Sequence, residues 1–273
     1  MSTYAISTWL FGHVPADDAI HLMAANGFTE AELSAEWAPI TAAWEQDPAG
    51  VCEQLAEAGI TVPSVHSPRD GRMLDLADDH ERLSSVQANL RYFDLMQACG
   101  VPEIIIHPVS GAAGDNDDEW AAVPHRSRAS LEVLAEKAGN AGLSLAVENI
   151  GRNGRPGSTM VSILELIDGL GDHVGICMDI GHTQQAQLDL LDELSTALTA
   201  GKLLSLHLHD VDPEGTDHYI PGEGCIDFAP FLDMLEEHDY KGGRTLEIRV
   251  APPEEVVARI RQTAAVRERW ESL

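Results

Sequence analysis

A chain of 273 residues is long for one β-sandwich and short for two ordinary α/β domains, but it suits one (β/α)8 TIM barrel, so a single domain over 1–273 is expected. Its net charge of −28, from 45 acidic against 17 basic residues, disfavours nucleic acid and anionic membranes, because affinity for phosphate backbones comes from Lys and Arg, and only Lys137, Lys202 and Lys241 are lysines. No run approaches the ~18 apolar residues that span a bilayer. The start lacks a basic leader, and Cys52, Cys99, Cys177 and Cys225 show no CxxC spacing, so a soluble, cytoplasmic chain with reduced, mostly buried thiols is expected.

Strand-like and helical runs alternate from end to end. The pattern predicts a strand over 4–9 and a helix over 16–26, then a strand over 28–34 and a helix over 48–58, then a strand over 61–66 and a helix over 79–98. The strand at 103–107 is followed by a helix at 124–141, the strand at 143–148 by a helix at 159–170, and the strand at 174–179 by a helix at 183–199. The last two units pair a strand at 203–208 with a helix at 227–238, and a strand at 244–249 with a helix at 253–270. Eight βα units without a composition break give the barrel count. Gly27, Gly59, Gly100 and Gly142 each stand between a helical run and a strand, where a left-handed residue ends a helix. Pro253 stands near the start of the last helix, where its missing N–H costs little. The connection from His209 to Ile226 is long, and long loops on the C-terminal face of a barrel usually carry the active site. The run Asp115, Asp117, Asp118, Glu119 reads as a solvated loop.

Four of the predicted strands end in residues that bind metals. Leu143 to Val147 runs into Glu148, Val174 to Met178 into Asp179, Leu203 to Leu206 into His207, and Arg244 to Leu246 into Glu247. Counting back by two along each strand finds the residues on the same face: Ala146 and Ser144, Cys177 and Gly175, and Ser205, all small or weakly polar. The opposite face carries Leu145, Val147, Ile176, Met178, Leu204, Leu206, Leu208, Leu246 and Ile248, which suits packing against helices. The four candidates therefore point into the barrel at its upper end. The N-terminal half repeats the pattern, with Val62 to Val65 ending in His66 and Ile104 to Ile106 ending in His107. A charged carboxylate alone in a low-dielectric barrel would protonate or destabilise the fold, and a divalent cation removes that conflict. Two Glu, one Asp and one His form a hard oxygen and nitrogen set that suits Mn²⁺ first, and also Mg²⁺, Co²⁺ or Zn²⁺.

At these residues the chain resembles the xylose isomerase-like barrel superfamily, in particular its sugar phosphate isomerase/epimerase branch. The matching segments are His66-Ser67-Pro68, Ile106-His107-Pro108, Val147-Glu148-Asn149, Met178-Asp179-Ile180-Gly181-His182, His207-Leu208-His209-Asp210, Pro221-Gly222-Glu223-Gly224 and Leu246-Glu247. The resemblance implies one divalent ion on Glu148, Asp179, His207 and Glu247, chelating a substrate's carbonyl and neighbouring hydroxyl oxygens. Glu148 and Glu247 would also carry the proton in enediolate chemistry, giving epimerisation or aldose–ketose isomerisation of a small sugar or polyol-derived substrate. By the same resemblance His182 contacts substrate or a second metal. Asp210 is placed to orient ligands from behind. Arg249 shares parity with Glu247 and either binds a substrate oxygen or carboxylate or pairs with an acidic residue on the rim. Trp9, Glu36 and Trp37 close early strands and either line the sugar pocket or pack beside it.

The metal-dependent abasic-site endonucleases share this barrel and use extra ligands for a metal cluster. His66, His107, His182 and His218 fall where such ligands would lie, so phosphodiester hydrolysis is the alternative reading. That family carries an aspartate two positions before the His218 equivalent. This chain has Thr216 there, with Asp217 adjoining it, which weakens a trinuclear cluster. A barrel that binds a sugar without turnover is a third reading, disfavoured because binding alone needs no paired acid and base. A homo-oligomer is compatible with the sequence. The acidity and shortage of lysine resemble proteins of salt-loving organisms, where salt screens self-repulsion. On that hypothesis thermal stability rises with added KCl, and a stability optimum at low salt contradicts it.

Overall fold

The computed structural model describes residues 3–34, 38–114 and 116–272. Eight parallel strands close on themselves in sequence order: β1 (Ala5–Ser7), β2 (Ala31–Ser34), β3 (Ser64–His66), β4 (Glu103–Ile106), β5 (Ser144–Glu148), β6 (Val174–Asp179), β7 (Leu203–Leu208) and β8 (Gly243–Leu246). Around them run α1 (Ala16–Ala25), α2 (Pro39–Gln46), α3 (Pro48–Glu57), α4 (Asp79–Cys99), α5 (Asp117–Ala141), α6 (Met160–Ile167), α7 (Ile180–Gln185), α8 (Leu190–Thr199), α9 (Phe228–Glu237) and α10 (Val256–Glu271). The (β/α)8 architecture is therefore the one expected. No helix among the described residues is long and apolar enough to cross a membrane.

Strand alternation divides the core in two. Leu145, Val147, Ile176, Met178, Leu206, Leu208, Leu246 and Ile248 belong to the large cluster between barrel and helices. Ile105, Ala146 and Cys177 form a separate, small cluster inside the barrel. Short inner side chains leave the upper barrel hollow, which is where the polar strand ends converge. Leu204 departs from the expected parity. The β6–β7 register pairs Ile176 with Leu203 but Cys177 with Ser205, so Leu204 is the extra residue of a bulge. Its side chain packs with the inner cluster rather than the outer one.

Several boundaries differ from the sequence reading. The helix expected over 183–199 is two helices, α7 and α8, separated at Gln187, whose φ is +57°. Asp179 caps the start of α7 and Asp189 caps α8, so two local N-caps override one continuous apolar pattern. Helix α2 was not expected; Pro39 at its first turn and Trp44 on its buried face explain it. Asp117, Asp118 and Glu119 are not loop but the first turn of α5, where Asn116 caps the helix and acidic groups complement its dipole; Asp115 lies outside the described residues. The helix expected over 124–141 begins earlier, at Asp117, so Pro124 lies inside α5. Pro253 lies in the turn before α10 rather than within it. The four punctuating glycines do take positive φ, and Gly100 and Gly142 end α4 and α5 in the left-handed conformation.

The bulge makes a stability prediction at Gly175. A Cβ built there would lie 2.4 Å from the Lys202 carbonyl and 2.6 Å from Leu204 Cγ. Gly175→Ala is expected to cost about 1–3 kcal/mol by overpacking. Urea unfolding midpoints measure it, and an unchanged midpoint contradicts the bulge packing.

Candidate metal centre

Glu148 ends β5 and Asp179 ends β6, and the two are held level by the next residue, Asn149. Its amide continues the ladder where the strands stop: Asn149 Nδ2 donates to the Asp179 carbonyl (3.0 Å) and the Asp179 amide donates to Asn149 Oδ1 (2.8 Å). Asp179 also caps α7, accepting from the His182 amide at 2.7 Å. His207 is the fifth residue of β7. Glu247 lies one residue past β8, and its amide extends the pairing by donating to the Leu208 carbonyl at 3.2 Å.

The donor atoms of Glu148, Asp179, His207 and Glu247 all lie within 4.8 Å of one another, and all four residues are buried. His207 Nδ1 stands 3.2 Å from Glu148 and 3.1 Å from Glu247. Its other nitrogen faces Glu32, 3.2 Å from Oε1 and 3.3 Å from Oε2. Glu32 is fully buried in β2, and Ser64 and Thr245 donate their hydroxyls to it at 2.8 and 3.1 Å. This is the carboxylate–histidine arrangement that fixes the ring of a metal ligand. Sequence reasoning missed Glu32, although it shares inward parity with Ser34 and would have emerged from the same count.

The surroundings also settle charge. Burial favours a protonated Glu148, but His107, His207 and His66 around it hold its carboxyl well below the usual range. Burial likewise opposes a charged His207, and Cys177, Glu247, Glu32 and Glu148 push it well above the ordinary histidine value. His207 therefore carries a proton where a cation would otherwise sit. Burial opposes charge on His182 and His209 as well, but Asp179 and Glu247, joined by Glu148 at His182, push both above the ordinary histidine value, so the buried carboxylates draw positive charge onto the rings around them. Each uncompensated buried ion carries a penalty of several kcal/mol, on the order of magnitude found after relaxation. The donor set thus fits a divalent ion.

The other predicted residues fall around this centre. His66 Nε2 lies 3.0 Å and His107 Nε2 3.3 Å from Glu148 Oε2. His182, Asp217 and His218 form a further group with donors within 4.8 Å of one another. The carboxylate of this group is Asp217, which adjoins Thr216. His218 adopts a positive φ of 58°, unusual for a bulky side chain, and its ring packs edge-on against Trp9 at 4.6 Å. Burial, with His209 beside it, keeps His218 well below the usual histidine range, so its ring is neutral. Glu36 and Trp37 lie outside the described residues.

One expectation needs correction. Asp210 does not face a ligand: its carboxylate accepts from the amides of Val211, Gly222, Gly224 and Ile226 and ties the 210–226 loop together. Orienting Asp179 falls instead to His209, absent from the sequence reading as a site residue, whose Nε2 lies 2.9 Å from both Asp179 oxygens. Gly181 makes room for that ring, since a Cβ there would lie 1.9 Å from it. Arg249 takes the second of its two expected roles. It bonds the Asp217 carbonyl, lies 3.5 Å from the Asp217 carboxylate and covers the Tyr219 ring at 4.7 Å.

Above the four donors opens a cavity of about 310 Å³, lined among others by Trp9, Ser34, Arg72, His182, Glu148 and Glu247. That is the small end of the ~300–1,000 Å³ range of small-molecule sites. A larger hollow of about 660 Å³ at the opposite end of the strands is lined by Glu30, Pro63 and Arg244. Among the described residues, none of the groups of converging metal donors lies there.

A closed parallel barrel with converging metal donors at the C-terminal ends of its strands defines the class. Residues 20–267 match the family model of the xylose isomerase-like TIM barrel, and the chain belongs to that family. It is 21% identical over 228 residues to a probable endonuclease 4 of Thermoplasma volcanium, covering 77% of this chain and 76% of the relative. It is 26% identical over 161 residues to an inosose dehydratase of Glaesserella parasuis, covering 50% of each; the matched segment thus spans half of that relative. Among solved structures, a D-tagatose 3-epimerase-like protein superposes with a TM-score of 0.81 at 18% identity, over 99% of this chain and 97% of the other. At that identity the likeness establishes the fold.

The charge balance gives two thermodynamic expectations. Mn²⁺ at 100 times its Kd is expected to stabilise the chain by about 2.7 kcal/mol and raise Tm by roughly 5–10 °C, with reversal by a chelator. Because the His207 pKa is raised in the metal-free chain, binding near neutral pH must displace its proton. Apparent affinity therefore rises with pH until His207 is deprotonated in the free protein. Calorimetric titration in buffers of different ionisation enthalpy counts that proton, and zero release contradicts ligation by His207.

Proposed function

We propose that the chain is a divalent-metal-dependent isomerase or epimerase of a small sugar or sugar-like hydroxy-ketone, acting by proton transfer through an enediolate. The observation that carries this reading is the position of Glu148 and Glu247. Both converge on Nδ1 of His207, and both line one cavity. A cation on the four donors would polarise a carbonyl and lower the pKa of the adjacent C–H. Glu148 is held in the ionised form, the form that a general base must have. Glu247 lines the same cavity beside it, so a proton can be removed by one carboxylate and returned by the other or by the same one. The neutral ring of His218 and the indole of Trp9, packed edge-on, form part of the cavity wall.

Phosphodiester hydrolysis is a second reading. One observation favours it: the neighbouring His182, Asp217 and His218 group offers room for another ion. The net charge of −28 weighs against a polyanionic substrate.

Ketoses, hydroxypyruvate and inososes incubated with Mn²⁺ in D2O and followed by NMR discriminate the two. Deuterium beside a carbonyl is expected. Cleavage of an abasic-site duplex without exchange on any sugar would contradict the isomerase reading. Glu247→Gln is expected to lower turnover at least ~10²-fold while leaving the circular dichroism spectrum unchanged, and full activity would remove Glu247 from the chemistry.

A further inference from the structure

Hydrogen-bond direction divides the histidines of the mouth into two kinds. A ring nitrogen binds a metal only through its lone pair, and in a neutral ring one nitrogen carries the hydrogen. His182 Nδ1 lies 2.9 Å from the Asn149 carbonyl and His218 Nδ1 lies 3.1 Å from the Glu247 carbonyl. A carbonyl only accepts, so in both rings Nδ1 donates and Nε2 keeps its lone pair for the site. His209 is the reverse. The His218 amide donates to His209 Nδ1 at 2.9 Å, which puts the hydrogen on Nε2, aimed at Asp179.

His66 is of this second kind, and a single side chain makes it so. Arg72 Nη2 lies 2.9 Å from His66 Nδ1. A guanidinium has five donors and no acceptor, so His66 Nδ1 must accept. The Ser67 carbonyl, 3.5 Å from the same nitrogen, is too distant to compete. The hydrogen of His66 therefore sits on Nε2 and points at Glu148 Oε2, 3.0 Å away. His66, His107 and Glu148 have donors within 4.8 Å of one another and by spacing alone would accept an ion.

We propose that Arg72 closes the position between His66, His107 and Glu148 to metal. It fixes His66 as a hydrogen-bond donor to Glu148, and so sets how many ions the mouth can hold. This rests on the reading that Glu148, Asp179, His207 and Glu247 hold an ion. It deepens that reading, because a cluster that needs an ion at His66 cannot form while Arg72 is present. His66 becomes a positioning residue that aims the Glu148 carboxylate.

The test is metal stoichiometry. Wild type, Arg72→Leu and Arg72→Lys are each dialysed against Zn²⁺ and bound metal is measured per folded chain. Arg72→Leu removes the donor and is expected to bind one equivalent more than wild type. Arg72→Lys, whose ammonium also only donates, is expected to keep the wild-type number. The gain should disappear when His66→Phe is added to Arg72→Leu. Equal stoichiometry in wild type and Arg72→Leu overturns the inference while leaving the four-donor site intact. A wild type that binds no ion removes the underlying reading and this inference with it. Nitrogen-15 NMR of histidine-labelled, Zn²⁺-loaded wild type gives a readout that does not depend on any variant folding. His66 is expected to show a protonated Nε2 and a bare Nδ1, and the opposite tautomer overturns the inference.

Discussion

The structure turns on the burial of four carboxylates, Glu32, Glu148, Asp179 and Glu247, within one barrel mouth. Left alone, each would either protonate or destabilise the fold. The surroundings instead keep Glu32, Glu148 and Asp179 ionised. Burial pushes each upward, and the neighbouring histidine rings more than reverse it. Negative charge is thereby concentrated on the axis of the barrel, beneath a cavity open to small molecules.

The supporting residues work in layers. Small inner side chains, Ala146 and Cys177, leave the space; Asn149 extends the β5–β6 ladder by one residue so that Glu148 and Asp179 stand level. Glu32 holds the far side of His207, and His66 and His209 donate to Glu148 and Asp179. The loop from Asp210 to Ile226 delivers His218 with a positive φ, and Asp210 secures that loop by four backbone amides. Strain in the backbone is placed where a ring must be aimed, and the remaining loop is ordered to hold it.

Much of this was legible in the sequence because strand period and strand termination are local signals. Glu148, Asp179, His207 and Glu247 each follow an apolar run, and alternation puts them on one face; the structure brings those four together. The failures were of three physical kinds. A bulge inverted Leu204, and nothing local in Leu203-Leu204-Ser205 announces it. Local caps at Asp179 and Asp189 split a helix whose apolar pattern was continuous. The third kind is tertiary: Arg72 reaches His66 six residues away, Glu32 reaches His207 across the barrel, and Asp210 turns to its own loop. Spacing can nominate donor atoms, but the hydrogen each ring carries depends on partners that only the fold supplies.

The most direct measurement of the central claim is anomalous diffraction at the manganese edge from crystals equilibrated with Mn²⁺. A peak enclosed by Glu148, Asp179, His207 and Glu247 is expected, with none between His66 and His107. No peak among the four buried donors, or a peak bound through His66, would contradict the claim that these residues together hold one divalent ion.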